Sequence, residues 1–218
     1  MIWKKGFTNM TNTWSKTKYL AFTSMLIAII FILTFTPLGF IPLPIVNATT
    51  IHIPVILGAL IMGPKYGAVL GTAFGFASLL RNTFAPTAAS FVFSPFYPLP
   101  DTESGNWMAL IVVFIPRIMV GVVPWFFYQG MSKVLPKRLD VLNFGLSGVI
   151  GSLTNTLLVM HLIFLLFREP YAAIIEQPVY AVYTFIMGII LANGVPEAIV
   201  AGILIAALGR VFKIIVNQ

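Results

Sequence analysis

Two ionisable residues lie inside stretches that otherwise hold nothing lipid would reject. Arg117 sits in Val-Phe-Ile-Pro-Arg-Ile-Met-Val, and Glu197 in Ala-Asn-Gly-Val-Pro-Glu-Ala-Ile-Val. An arginine at such a depth costs at least about 2.5–3.5 kcal/mol, so it requires a partner or a polar ligand. A mutual Arg117–Glu197 ion pair would lock helices together. Alternatively, one or both residues contact a polar solute, and a pair that also orients Arg117 serves both ends. Asn155, His161 and Asn193 map to the same middle or outer depth. Each alone reads equally well as an interhelical hydrogen bond, worth about 0.6 kcal/mol, and it is their shared depth that favours a binding site. His52 opens another apolar run and reads as an interfacial histidine or, less simply, as a further ligand contact.

Asn193-Gly-Val-Pro196 interrupts its run. Proline is tolerated in the first turn of a helix, where its missing N–H would be unpaired anyway. A helix starting near Asn193 would offer free N–H groups and a positive dipole end to an anionic or polar solute. The alternative is a proline kink healed by neighbouring side chains. In both cases Asn193 and Glu197 stand one turn apart on one face.

Other chemistries are missing from the sequence. There is no cysteine, and the two histidines have no clustered carboxylates, so neither disulfides nor a transition-metal site is expected. Gly58-Ala-Leu-Ile-Met-Gly-Pro-Lys65 imitates a phosphate loop, but it lacks Gly-Lys-Ser/Thr and places a proline where N–H donors are required. No serine elbow or His-Glu-x-x-His is present. The expectation is no cofactor and no means of hydrolysing ATP, with an intramembrane enzyme as a minor alternative.

These residues must be positioned by membrane helices. Of 218 residues, 59% are hydrophobic and 9% charged, against about 25% charged in soluble domains. That excludes a cytosolic enzyme and a nucleic-acid-binding domain. Spans of roughly 20 apolar residues are expected at about 17–37, 107–131, 143–167 and 182–210. The first is too long for a signal-peptide core. The stretch 48–84 is too long for one span and carries the turn signal Gly63-Pro-Lys-Tyr-Gly67, so it splits into 48–62 and 66–84. The expected fold is an all-α bundle of six transmembrane helices, one domain over 1–218, with both termini cytoplasmic. The inner side then receives Lys4, Lys5, Lys16, Lys18, Lys65, Lys133, Lys137, Arg138, Arg210 and Lys213, while the outer side receives Arg81 and Arg168. This is the positive-inside pattern, and a single span over 48–84 would destroy it.

The outer segments 38–47, 85–106 and 168–181 are long, apolar and rich in Pro and Phe, as in Pro37-Leu-Gly-Phe-Ile-Pro-Leu-Pro44 and Ser90-Phe-Val-Phe-Ser-Pro-Phe-Tyr-Pro98. They read as aromatic anchors at headgroup level or, because Ser and Asn alternate with the aromatics, as a lid over a pocket open to the outside. Asn82, Phe93 and Ser94 therefore join the candidate substrate contacts. Ala21, Ser24 and Ala28 form a small-residue stripe on the first span, suited to close approach by another helix. Gly67, Gly71 and Gly75 form a denser stripe whose simpler reading is bundle interior.

The block Ile51-His-Ile-Pro-Val-Ile-Leu-Gly-Ala-Leu-Ile-Met-Gly-Pro-Lys-Tyr-Gly-Ala-Val-Leu-Gly71, the small stripe of the first span and Asn193-Gly-Val-Pro-Glu-Ala-Ile-Val200 resemble the substrate-binding S component of energy-coupling factor (ECF) vitamin transporters. The resemblance covers essentially the whole chain. It implies a multi-pass protein of the bacterial cell membrane that captures a vitamin from outside. It also implies association with a membrane coupling subunit (the T component) and two cytoplasmic ATPase subunits that supply hydrolysis. Ser24 and Ala28 would match the family's Ala-x-x-x-Ala coupling surface, with Ser in place of the first Ala. Segments 38–50 and 82–106 would match its gating loops. Pro-Lys-Tyr-Gly-Ala with Ser-Phe-Val-Phe-Ser-Pro-Phe looks most like the pantothenate-type members, a pyridoxine- or pyrimidine-type cargo being the alternative. On that basis Arg117 would take the carboxylate, and Asn155, Asn193 and Glu197 the hydroxyls and amide.

Overall fold

Gly63, at φ 99°, lets the chain reverse between two helices, and Pro64 starts the second at a position where no N–H is needed. In the computed structural model, which describes residues 14–42, 47–100 and 102–216, these are α2 (His52–Met62) and α3 (Pro64–Phe84). Before them come α1 (Lys16–Phe35) and a hairpin of β1 (Phe40–Pro42) and β2 (Asn47–Thr49). After them come α4 (Ala109–Met131), α5 (Asp140–Ile174), α6 (Val182–Ile189) and α7 (Val195–Val216). Lys4 and Lys5 of the charge pattern, and Pro44 of the first outer segment, lie outside the described residues. Among the described residues four helical stretches are long and apolar enough to cross a membrane: α1, α4, α5 and the run Val179–Phe212.

Helix packing follows residue size. Gly67 meets the backbone of Gly121, Gly71 that of Arg117 and Ile118, and Gly75 the Phe114 ring. This stripe brings α3 and α4 into backbone contact and fixes the height of Arg117. A second crossing sets α5 on α7, with Gly148 against Ala201 and Ile205, and Gly209 against the Phe144 ring. α2 is buried along its whole length, which explains why its apolar residues show no amphipathic period.

Three departures from the sequence reading have physical reasons. The fold is not purely helical: β1 and β2 pair antiparallel with Phe40 opposite Thr49 and Pro42 opposite Asn47. α2 rises only about 16 Å over its eleven residues.

α5 does not stop at 167. Phe167 leaves helical geometry (φ −135°, ψ 18°) and the helix resumes through Ile174. Pro170 thereby falls in the first turn of the resumed segment, where its lack of an N–H costs nothing. Residues 168–174, expected in an outer loop, are helical.

Nor does the run 182–210 break into two helices with a free N-terminus. Ile190–Gly194 form a π-helical turn between α6 and α7, which absorbs Pro196 without exposing a helix end. Such π-turns occur frequently at functional sites.

Candidate functional site

α4 carries Pro116 and Pro124 in its interior. Pro116 has no N–H for the carbonyl of Val112, and Arg117 Nη1 donates to that carbonyl at 2.9 Å. The guanidinium is thereby drawn back along its own helix and buried, with 7% of the residue exposed. Two rings face it: Phe74 of α3 with its centroid 5.5 Å from Cζ, and Phe93 of the 85–106 segment at 5.0 Å. Cation–π contacts of this kind are worth about 0.5–2 kcal/mol, more as water is excluded. Nε is buried and has no hydrogen-bond partner. The result is a cation held between aromatic faces with donor capacity to spare.

Glu197 does not serve it. Its Oε1 accepts from both the N–H and the hydroxyl of Thr49, each at 3.0 Å. Among the described residues no ion pair joins Arg117 to Glu197; of the two readings open from the sequence, two separate engagements stand in place of a mutual lock. Thr49 was not legible as Glu197's partner because 148 residues separate them.

The 85–106 segment turns inward. Ser90, Phe91, Val92 and Ser94 are fully buried, and Phe91 packs edge-on against Phe167 at the α5 bend, centroids 5.9 Å apart. The buried polar groups are satisfied locally: Ser90 Oγ donates to Asn82 Oδ1 (2.9 Å) and accepts from Thr87 N–H (2.8 Å). Ser94 Oγ and Thr83 Oγ1 share a 2.7 Å hydrogen bond. Asn82 and Ser94 thus secure the segment to the end of α3 and present Phe93 to Arg117. Phe96 and Trp107 are exposed and meet edge-to-face, centroids 6.0 Å apart. Thr83, Thr87 and Ser90 were missed as functional candidates. Their signal was the recurrence of hydroxyls around Asn82.

The remaining candidates distribute as follows. His52 is buried at the start of α2 with Nε2 unpartnered. Asn155 Oδ1 and Ser152 Oγ on α5 are likewise buried and unpartnered. Next to them on the same helix, Thr156 lies against Gly194 of the π-turn, the turn that also holds half-buried Asn193. His161 stands apart: its Nδ1 is 2.7 Å from Leu157 O and its ring meets Tyr183 of α6 at 6.3 Å. A cavity of about 280 Å³ opens in the cap, lined by Ala88, Phe91, Tyr97, Pro98, Leu99, Pro100 and Ile174. It includes none of the candidate polar residues and no charged side chain. Ala21, Ser24 and Ala28 are exposed along one face of α1.

Residues 18–209 match the family model described as "ECF transporter, substrate-specific component". A "Pantothenic acid transporter PanT" of Lactococcus lactis is 38% identical over 168 residues, covering 77% of this chain and 78% of the relative. A "Pantothenate transporter PanT" of Leuconostoc mesenteroides is 29% identical over 202 residues, covering 90% and 93%.

Proposed function

Because the chain belongs to the family of substrate-specific components of ECF transporters, we propose that its cargo is pantothenate and that Arg117 binds the vitamin's carboxylate. As a member of that family it is a multi-pass bacterial membrane protein and a transport subunit rather than an enzyme. The observation that carries the cargo assignment is the state of Arg117: buried, flanked by Phe74 and Phe93, without an acid on it among the described residues, and with Nε unpaired. A permanent cation in that setting is best satisfied by an anion arriving from outside, because an ionic hydrogen bond is strongest where water is excluded. The names of the two relatives support the same cargo.

The other polar groups fit the rest of the molecule. Pantothenate offers two hydroxyls and one amide, and Asn155, Asn193 and His52 supply amide and imidazole groups, those of Asn155 and His52 with spare capacity. Phe93 closes the site over Arg117, and Asn82 and Ser94 hold Phe93 in place. The chain forms one domain of six spans with both termini inside, α2 and α3 making the short second and third crossings. The exposed face of Ala21, Ser24 and Ala28 docks the membrane coupling subunit, and two cytoplasmic ATPases drive release.

Equilibrium binding of labelled pantothenate to the purified chain tests this reading. Saturable binding, with thermal stabilisation of about 2.7 kcal/mol at a ligand concentration 100 times Kd, is the expected result. Absence of binding while pyridoxine or a pyrimidine precursor binds would reassign the cargo.

A further inference from the structure

Gly151 lets three helices meet. A side chain there would run into those of Ile56 on α2 and Pro124 on α4, so α5 is held against both at that height. The other crossings fix the chain directions. α2 reverses into α3 at Gly63, and Gly67, Gly71 and Gly75 of α3 meet Gly121, Arg117 and Phe114 of α4 in turn. α5 is antiparallel to α4, because Asn143 bonds Tyr128 and Ser132 while Gly151 meets Pro124. One turn from that contact, toward the end that carries the 85–106 segment, the same three faces present His52, Val120 and Asn155. Arg117 follows two turns from Pro124 on its face of α4. Each of the three polar side chains in this set has a buried atom without a hydrogen-bond partner: His52 Nε2, Asn155 Oδ1 and Arg117 Nε. Buried polar atoms are normally paired, so three orphans converging above one tight apolar contact point to a polar ligand.

The orphans differ in kind. Arg117 Nε–H only donates, so it takes an acceptor such as a carboxylate oxygen. Asn155 Oδ1 only accepts, so its ligand must bring a hydrogen, and His52 Nε2 serves either way according to tautomer. A hydroxyl suits both of the latter. At 1.5 Å per residue, Asn155 stands about 6 Å from the Gly151 contact and Arg117 about 10 Å, with the guanidinium turned further away onto Val112 O. Extended pantothenate spans about 10 Å from carboxylate to terminal hydroxyl, close to three peptide units. We propose that His52 and Asn155, above a floor of Ile56, Pro124 and Gly151, form the subsite for the hydroxyl end of the vitamin, and that this subsite selects the free alcohol against its phosphate ester. This rests on the reading of the chain as a pantothenate-capturing subunit. The vitamin then lies along the bundle, with its carboxylate on Arg117 and its methyl-bearing diol on the apolar floor. A phosphate at the terminal hydroxyl meets carbon below and an acceptor at Asn155, its charge stripped of water and unpaired.

The test measures equilibrium binding to the full chain in nanodiscs of pantothenate, pantothenol, the phosphate ester at pantothenate's terminal hydroxyl, and the β-alanine amide of tert-butylacetic acid. That amide keeps the carboxylate and the methyls and lacks both hydroxyls. The wild type should bind it about a hundredfold more weakly than pantothenate, about tenfold for each buried group left unpaired, and should not bind the ester. Asn155→Leu, and likewise His52→Leu, should weaken pantothenate and pantothenol alike by about tenfold and leave the hydroxyl-free amide unchanged. Arg117→Met should do the opposite, weakening pantothenate and sparing pantothenol. A merely structural role for Asn155 would weaken every ligand equally and keep the hydroxyl discrimination intact, which overturns the subsite. So does a wild type that binds the hydroxyl-free amide or the phosphate ester as tightly as pantothenate, a comparison that needs no variant to fold. Pantothenate bound without hydroxyl discrimination sinks the subsite alone, whereas a chain that binds neither pantothenate nor pantothenol sinks the cargo assignment beneath it.

Discussion

Arg117 Nη1 donates to the backbone carbonyl of Val112 at 2.9 Å, the acceptor that Pro116 leaves without its usual helical N–H. The proline and the arginine beside it thus act as a unit. One frees a carbonyl inside the membrane, and the other fills it while keeping its remaining donors and its aromatic neighbours. This geometry holds the guanidinium at a fixed depth without an acidic partner among the described residues.

Replacing Arg117 by Met should therefore separate affinity from stability. Pantothenate binding is expected to weaken by about 2–5 kcal/mol, the scale for truncating one member of a buried ionic hydrogen bond. The unliganded protein should keep its melting temperature or gain, since a buried cation is costly to insert. Calorimetric titration and thermal melts measure the two. Pantothenol, which lacks the carboxylate, should bind wild type and variant alike. A wild-type preference for pantothenate that survives in Arg117→Met would remove the carboxylate assignment.

Gly71→Val should destabilise the bundle, because its side chain would collide with the Arg117 and Ile118 backbone. Overpacking of this kind costs about 1–3 kcal/mol or more, and here it displaces the helix bearing the site. A lower melting temperature together with lost binding is expected. The same substitution at Gly188, which has open space around it, should be silent in binding.

Ser90→Ala should loosen the cap. It leaves Asn82 Oδ1 and the Thr87 N–H without the hydroxyl they share, at about 1–3 kcal/mol for stranded buried groups. Faster proteolysis within 85–100 and weaker pantothenate binding would follow, through the loss of Phe93 from its place over Arg117. Unchanged proteolysis would show that the cap is held by its apolar residues alone.

At the opposite end, Tyr128 Oη donates to Asp140 Oδ1 at 2.7 Å, and Asn143 Nδ2 donates to Tyr128 O (3.0 Å) and Ser132 Oγ (2.8 Å). Tyr128→Phe should lower stability by about 1 kcal/mol and leave Kd for pantothenate unaltered. A change in Kd would couple this end of the bundle to the site.

Ser24→Leu and Ala28→Leu alter an exposed face of α1 and should leave binding intact while abolishing uptake in cells. Uptake at the wild-type level with either variant would move the docking surface elsewhere.

The residues themselves dictated that this chain lives in a membrane, because 59% hydrophobic content with 9% charge leaves no other solvent. They also dictated where helices run, through long apolar stretches punctuated by Gly63-Pro64, and which groups are too polar to sit idle in hydrocarbon. Those properties are local, and local composition reports them. What the tertiary structure alone decided is who meets whom. The sequence could not choose between an Arg117–Glu197 pair and two separate engagements, since that depends on Thr49 arriving beside α7 and Phe93 beside α4. It could not show that Asn82 holds a loop, that Asn193 lies in a π-turn, or that α5 bends and continues past Phe167. Each of these is settled by contacts between segments distant along the chain. They depend on how closely glycine stripes let helices approach, which no single stretch of sequence contains.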